Sequence, residues 1–201
     1  MSSFDAPLPL LFIMALSYTL GSIPFGLLLT RAAGLGDIRK IGSGNIGATN
    51  VLRTGRKGLA AATLLLDGLK GSIAVLIGAG LAGTTGALAC GLAAFIGHLY
   101  PVWLKFRGGK GVATFFGVLI AANPTAGLAA GAVWIGMAWF FRISSLSSLT
   151  SSVAAPFLMA IITRDVPLTI LAFVMAALVW IRHAANLRRL MDGTEPRIGR
   201  T

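Results

Sequence analysis

Apolar stretches separated by short loops that carry almost all of the basic residues constrain this chain more than any other feature. The stretches run over residues 8–32, 59–82, 84–100, 112–122, 125–141, 149–163 and 166–181. A helix needs about 20 apolar residues to cross a hydrocarbon core of about 30 Å. The first two stretches meet that length. The fourth is short, and reaches it only through its glycine-rich lead-in or under the cover of neighbours. The sequence therefore predicts an all-α membrane protein of one domain over 1–201, with about seven transmembrane helices; five is the alternative count. Pro24, between Gly21 and Gly26, predicts a kink in the first span. Small residues such as Gly127 and Gly131 predict close helix approach. The first segment has no basic n-region and no Ala-x-Ala site, so it reads as a retained span and not as a signal peptide.

The basic residues sort to one side. With the N-terminus outside, the cytoplasmic side receives Arg31, Arg39, Lys40, Arg53, Arg56 and Lys57, then Lys105, Arg107 and Lys110, then Arg142, then Arg182, Arg188, Arg189, Arg197 and Arg200. That is 15 of the 17 basic residues. Only Arg164 falls outside, and Lys70 lies within a span. Such a bias orients a membrane protein with its basic loops inside. It predicts an outside N-terminus and a cytoplasmic C-terminus, and puts every polar, glycine-rich run, and so the active site, on the cytoplasmic face. A mean hydropathy of +0.84 agrees with a polytopic membrane chain. The net charge of +11 does not make a nucleic-acid partner, because no basic helix or aromatic-interleaved stripe is present. Cys90 is the single cysteine and lies in an apolar stretch, which excludes disulfide frameworks and leaves packing as its role.

Two loops carry the chemistry most clearly. The run Phe106-Arg107-Gly108-Gly109-Lys110-Gly111-Val112-Ala113-Thr114 opens an apolar helix. Adjacent glycines allow close backbone approach, so that successive N–H groups point into one concavity, and the helix start adds its own donors and positive dipole end. Lys110 supplies a cation, and together these suit a phosphate. The spacing is not that of a Walker loop. The run Gly42-Ser43-Gly44-Asn45-Ile46-Gly47-Ala48-Thr49-Asn50, followed by Arg53, offers uncharged donors on a foldable loop and a planar guanidinium fork for phosphate. Turns and a helix cap are its bland explanation.

Two further runs are weaker. The stretch Arg142-Ile143-Ser144-Ser145-Leu146-Ser147-Ser148 places hydroxyls at a helix start, where capping is the default role. The tail holds His183 and Asn186, three apart and so on one helix face, then Gly193-Thr194-Glu195. Asp67 and Lys70, also three apart and inside a span, predict an inward-facing ion pair. His98 reads as a hydrogen-bonded helix terminus. The acids are Asp5, Asp37, Asp67, Asp165, Asp192 and Glu195. No two make a hydrolytic pair, and no cluster has metal-ligand spacing, so neither metal nor cofactor is expected. A phosphate-rich site without a nucleophile calls for substrates that are already activated.

Taken together, the runs Gly42–Arg53, Gly97-His98-x2-Pro101 through Thr114, and His183-x2-Asn186 with Gly193-x-Glu195 resemble the bacterial integral-membrane acyl-phosphate:glycerol-3-phosphate acyltransferases, over nearly the whole chain. The resemblance implies a seven-helix protein of the bacterial inner membrane that transfers a fatty acyl group from acyl phosphate to glycerol-3-phosphate at the membrane lipid surface. The products would be 1-acylglycerol-3-phosphate and inorganic phosphate, in the first acylation of phospholipid synthesis, with no covalent acyl-enzyme. By motif position it implies catalytic roles for Ser43, Arg53, Lys110, His183 and Asn186. Substrate binding would involve Asn45, Thr49, Asn50, Gly108, Gly109, Gly111, Thr114 and Ser148. Ala184 and Ala185 depart from the basic and acidic residues usual between the histidine and asparagine, and are expected to face away from the site. The base is His183 or an oxygen of the donor's own phosphate, the second being preferred. A small transporter of phosphorylated metabolites is the competing class, but its site would belong near the membrane midplane.

Overall fold

The structure, a computed structural model, describes residues 7–199 and is helical throughout, with no strand among those residues. Asp5 and Arg200, which enter the reading of acids and of cytoplasmic basic residues, lie outside the described residues. The described chain divides after Ala122 into two units.

In the first unit, α1 (Pro7–Gly21) and α2 (Phe25–Ala32) are one apolar stretch interrupted at Ser22-Ile23-Pro24, where proline lacks the N–H that would continue the ladder. This is the kink expected at Pro24. A short α3 (Ala48–Leu52) follows, and then α4 (Lys57–Leu99). The helical ladder of α4 is broken at Ala82 and Gly83, and Gly83 takes φ 59° and ψ −149°, a conformation that only glycine adopts without strain. There the chain doubles back. Gly78 and Gly86 meet across the turn so closely that a Cβ on either would overlap the other's carbonyl, and Gly91 packs against Val75. The two segments predicted over 59–82 and 84–100 are therefore separate antiparallel helices.

Glycine contacts set the neighbours of this hairpin. Gly21 of α1 lies on the Ala94 backbone and Gly97 on that of Tyr18, while Tyr18 Oη donates to Tyr100 O at 2.6 Å. Gly117 of α5 (Val112–Ala122) lies on the Gly68 carbonyl, and Gly71 on that of Thr114. At these places helices touch through backbone, as membrane helices do where there is no hydrophobic force between them. Cys90 is fully buried with Ile13, Ala74, Ala82 and Ala94, in the packing role expected of it.

In the second unit, Asn123 caps α6 (Pro124–Phe141) by accepting from Ala126 N at 2.9 Å, with Pro124 at the first turn, where its missing donor is harmless. Asp165 caps α8 (Val166–Arg182) in the same way through Leu168 N at 2.9 Å. Between them α7 (Ser144–Thr163) carries the serines. The helix then bends by 63° into α9 (Ala184–Met191). Gly131 faces open space, so the contact expected of Gly127 and Gly131 does not form as a pair; Ala126, Gly127 and Ala130 are the buried small residues of α6.

By length and composition, four helical stretches among the described residues suffice to cross a bilayer, or five with α8 and α9 taken together; the doubled-back α4 is counted once. At 11 residues α5 is about 16 Å long, well short of the hydrocarbon core. Large apolar side chains such as Leu64, Leu65, Trp139, Phe140, Phe157, Ile161 and Phe173 are exposed, and water would leave them unpaired where lipid would not.

Candidate active site

The residues singled out in sequence fall into two groups, one in each unit. In the first, the loop from Gly42 to Arg53 is organised by Asn50. This side chain is buried, its Oδ1 accepts from Ser43 N at 3.0 Å, and its Nδ2 donates to the carbonyls of Ile38, Ile41 and Asn45 at 3.1, 2.9 and 2.8 Å. An amide whose donors are all taken by the loop's own carbonyls shapes the loop, and Asn50 does so here. Gly42 and Gly44 have φ of 55° and 69°, and a Cβ on Gly42 would collide with Asn50 Oδ1. Ser43 is exposed, while Asn45, Thr49 and Arg53 are half-buried at the loop surface. The Arg53 guanidinium lies 3.5 Å from Asn50 Oδ1.

The loop is anchored by a buried cluster of Leu27, Ile38, Ile46, Val51 and Ala60. Leu104, on the lead-in to the glycine-rich run, packs against the same cluster. Both motifs of this unit thus rest on one apolar footing. Asp37 caps the turn at Ile38–Lys40 and pairs with Arg31 and Arg39; the Arg39 hydrogen bond holds its carboxyl well below the usual carboxylate range.

The glycine-rich run differs from the expected concavity of successive donors. Gly108 N donates to Leu99 O and Gly109 N to His98 O, both at 3.1 Å, so these two groups close the carbonyl end of α4. That pairing satisfies helix-end acceptors that would otherwise be buried without partners. The glycines are needed for space: a Cβ on Gly108 would overlap the His98 carbonyl, and one on Gly109 would overlap the His98 ring. Gly111, at φ 85°, lies under the Phe95 ring. The helix-start donors of the sequence reading remain: the first-turn N–H groups of α5 precede any intrahelical acceptor, and Phe115 N donates to Gly111 O at 2.7 Å. Lys110 is half-buried immediately before that turn. Thr114 is fully buried and donates its hydroxyl to Asp67 O at 2.8 Å.

Beneath the run lies a polar cluster inside the apolar helices. Lys70 Nζ donates to Asp67 Oδ1 at 2.7 Å and to Ile23 O at 2.9 Å, and both side chains are buried, which is the ion pair expected of these residues. Sequence reasoning did not find that His98 joins it, with Nδ1 3.6 Å from Asp67 Oδ1. The two residues are far apart in sequence, and only the α4 hairpin brings them together.

In the second unit the serines do not cap α7. Its cap position is Ile143, and Ser147 and Ser148 donate back to Ile143 O and Ser144 O, each at 2.8 Å. A buried hydroxyl on a helix has that carbonyl within reach and no other need to be solvated. Ser148 Oγ also accepts from Trp134 Nε1 at 3.0 Å. Ser145 Oγ is buried near the Glu195 carboxylate but outside hydrogen-bonding geometry with it.

His183 and Asn186 are both buried, and Ala184 and Ala185 between them are exposed, as expected. His183 and Asn186 share one face at the start of α9, as expected, and His183 is also the residue at which α8 ends and the chain bends. His183 Nδ1 lies 2.8 Å from Val179 O. A carbonyl only accepts, so Nδ1 carries the hydrogen and a neutral ring holds its lone pair on Nε2. Asn186 Nδ2 and Arg189 Nε donate to the two oxygens of Glu195, the latter at 2.7 Å, and this latch returns the tail to α9. Burial alone would raise the Glu195 carboxyl, but the hydrogen bonds from its neighbours, Asn186 first, and the Arg189 charge hold it below the usual range. A depressed native pKa means that the latch's stability is present above the unfolded value of about 4.3 and is lost as pH falls through the native one. Amide exchange over 184–195, corrected for its intrinsic pH dependence, is expected to quicken on acidification in the wild type. In Glu195→Gln it is expected to be fast already at neutral pH. Equal protection in the two proteins would contradict the latch.

Comparison with known proteins agrees with this architecture. The glycerol-3-phosphate acyltransferase family profile matches residues 11–193. The glycerol-3-phosphate acyltransferase of Methylorubrum populi is 58% identical over 186 residues, covering 92% of this chain and 91% of its own. That of Mesorhizobium japonicum is 57% identical over 190 residues, covering 94% and 96%. The fold is similar to crystal structures of PlsY, an integral membrane glycerol 3-phosphate acyltransferase. For its glycerol 3-phosphate form the TM-score is 0.90 at 40% identity, over 94% of this chain and 96% of that one. For its lysophosphatidic acid form the TM-score is 0.87 at 38% identity, over 94% and 95%. With a profile spanning almost all of its length and relatives this similar, the chain belongs to the glycerol-3-phosphate acyltransferase family.

Proposed function

We propose that this chain transfers a fatty acyl group from acyl phosphate to the 1-hydroxyl of glycerol-3-phosphate, releasing inorganic phosphate, without a covalent acyl-enzyme. The observation that carries the reading is the start of α5: Lys110 and the unladdered N–H groups of its first turn stand at the end of a glycine-rich run. Helix starts of this kind suit phosphate, and both substrates bear one. Family membership supplies glycerol-3-phosphate as the acceptor, in keeping with the glycerol 3-phosphate form of the similar crystal structure.

In this reaction the hydroxyl oxygen attacks the acyl carbonyl carbon, the bond from that carbon to the bridging oxygen breaks, and phosphate leaves with that oxygen and the electron pair. Because the donor is a mixed anhydride, orientation and charge stabilisation supply most of the acceleration. By motif position, catalytic roles would fall to Ser43, Arg53 and Lys110, as holders of phosphate oxygens, and to His183 and Asn186. Asn45, Thr49, Asn50, Gly108, Gly109, Gly111, Thr114 and Ser148 are assigned to substrate binding, Asn50 by shaping its loop and Thr114 and Ser148 from helices α5 and α7. The hydroxyl proton passes to an oxygen of the donor's phosphate, so His183→Asn should keep a measurable rate without losing a limb of the pH–rate profile. Disappearance of a limb near the ordinary histidine pKa of about 6.5 would make His183 the base instead.

The chain is proposed to form a single functional domain of about seven spans in the bacterial inner membrane, N-terminus outside and C-terminus in the cytoplasm. With Cys90→Ala as background, a cysteine at Gly36 should resist labelling from outside intact cells. Labelling there would invert the topology. The reaction itself is tested by comparing donors with purified protein: turnover is expected with acyl phosphate. Turnover with acyl-CoA and none with acyl phosphate would overturn the donor assignment.

A further inference from the structure

His98 stands between the buried ion pair and the glycine-rich run, and nothing in the chemistry above uses it. It is 4% exposed. One edge of its ring, Nδ1, lies 3.6 Å from Asp67 Oδ1. The other edge, Nε2, occupies the space that a side chain on Gly109 would need. Its own carbonyl accepts the Gly109 N–H at 3.1 Å. Asp67 is fixed in turn by Lys70 at 2.7 Å, and its carbonyl accepts the Thr114 hydroxyl at 2.8 Å, inside the first turn of α5. The segment 109–114 is therefore held at one end by His98 and at the other through Thr114, with both ties meeting at Asp67.

We propose that His98 is a positioning residue for phosphate binding: wedged between Asp67 and Gly109, its ring sets the seat of the glycine-rich run, and with it Lys110 and the start of α5. This rests on reading that run as a phosphate site. In a close-packed interior the displacement of one ring is passed to whatever rests on it, since there is no void to absorb it. A change at position 98 therefore moves the donors relative to the phosphate and leaves the attack on the acyl carbon alone. It also gives Gly109 a specific reason to be glycine: any Cβ there competes with His98 for the same space.

A steric cycle tests this with purified enzyme. His98→Ala is expected to raise the KM of one phosphate-bearing substrate about tenfold while kcat stays within about threefold, the pattern of lost binding. Gly109→Ala should lower kcat/KM about 100-fold, and the double variant should regain about tenfold over Gly109→Ala, because the methyl enters the space the ring has left. His98→Asn, which keeps a polar group towards Asp67, provides the same cycle if the alanine variant folds poorly. Binding of inorganic phosphate by calorimetry follows the cycle independently of the acyl donor, so it separates failure of this proposal from failure of the donor assignment. A His98→Ala enzyme with a lowered unfolding midpoint but wild-type KM and phosphate affinity would make the residue merely structural and overturn the proposal. So would a double variant whose loss is the product of the two single losses.

Discussion

Lys110→Ala and Arg53→Ala should each lower kcat/KM about 100- to 1000-fold, or about 3–4 kcal/mol of transition-state stabilisation, the scale of losing one preorganised donor to a developing anion. Lys110 precedes the first turn of α5, where, in the proposed site, backbone donors would direct a phosphate's oxygens but carry no full charge. Arg53 closes α3 and its guanidinium lies 3.5 Å from Asn50 Oδ1, so the loop that Asn50 organises also sets the direction of the fork. Arg53→Lys should restore little, because an ammonium cannot bind two oxygens in one plane. Steady-state kinetics on protein whose unfolding midpoint is unchanged decide the point. An Arg53→Ala enzyme with near-normal kcat/KM would remove that residue from the site.

Lys70→Met should be strongly destabilising. It leaves the Asp67 carboxylate, 2% exposed, among apolar helices with His98 at 3.6 Å as the nearest remaining charge partner. Removing one member of a buried pair typically costs about 3–5 kcal/mol. For a chain of this size that lowers the thermal midpoint by about 10 °C. Asp67→Leu combined with Lys70→Met removes both charges and should recover most of the loss, since a buried pair is seldom worth more than well-packed apolar side chains. The double variant should not recover normal substrate KM, because His98 has lost its counterpart. Thermal unfolding in detergent checks the first expectation, and a Lys70→Met protein as stable as the wild type would contradict it.

What was legible in sequence follows from how local each cause is. Pro24 and the Ala82–Gly83 break act through their own backbone, so the kink and the helix reversal were readable, as was the pairing of Asp67 with Lys70 one helical turn apart. The glycine-rich run was readable as a close-approach loop, but not its partner. Gly108 and Gly109 donate to the end of α4, and the ring over Gly109 belongs to His98; both depend on a turn that sequence spacing does not reveal. The serines at 144–148 carry the composition of a cap, yet the buried Ser147 and Ser148 hydroxyls turn onto their own helix, and Trp134 donates to Ser148. The shared face of His183 and Asn186 is local and was readable; the 63° bend before α9 and the Glu195 contact to Asn186 were not. The contacts missed were those that no local helical spacing reveals.

The central claim, acyl transfer between two phosphate-bearing substrates at a membrane site, is tested most directly by product stoichiometry. Purified protein reconstituted into vesicles, given acyl phosphate and glycerol-3-phosphate, is predicted to form 1-acylglycerol-3-phosphate and inorganic phosphate one for one. Uptake of glycerol-3-phosphate into the vesicles with no acylated product, or phosphate release without acyl transfer, would contradict it.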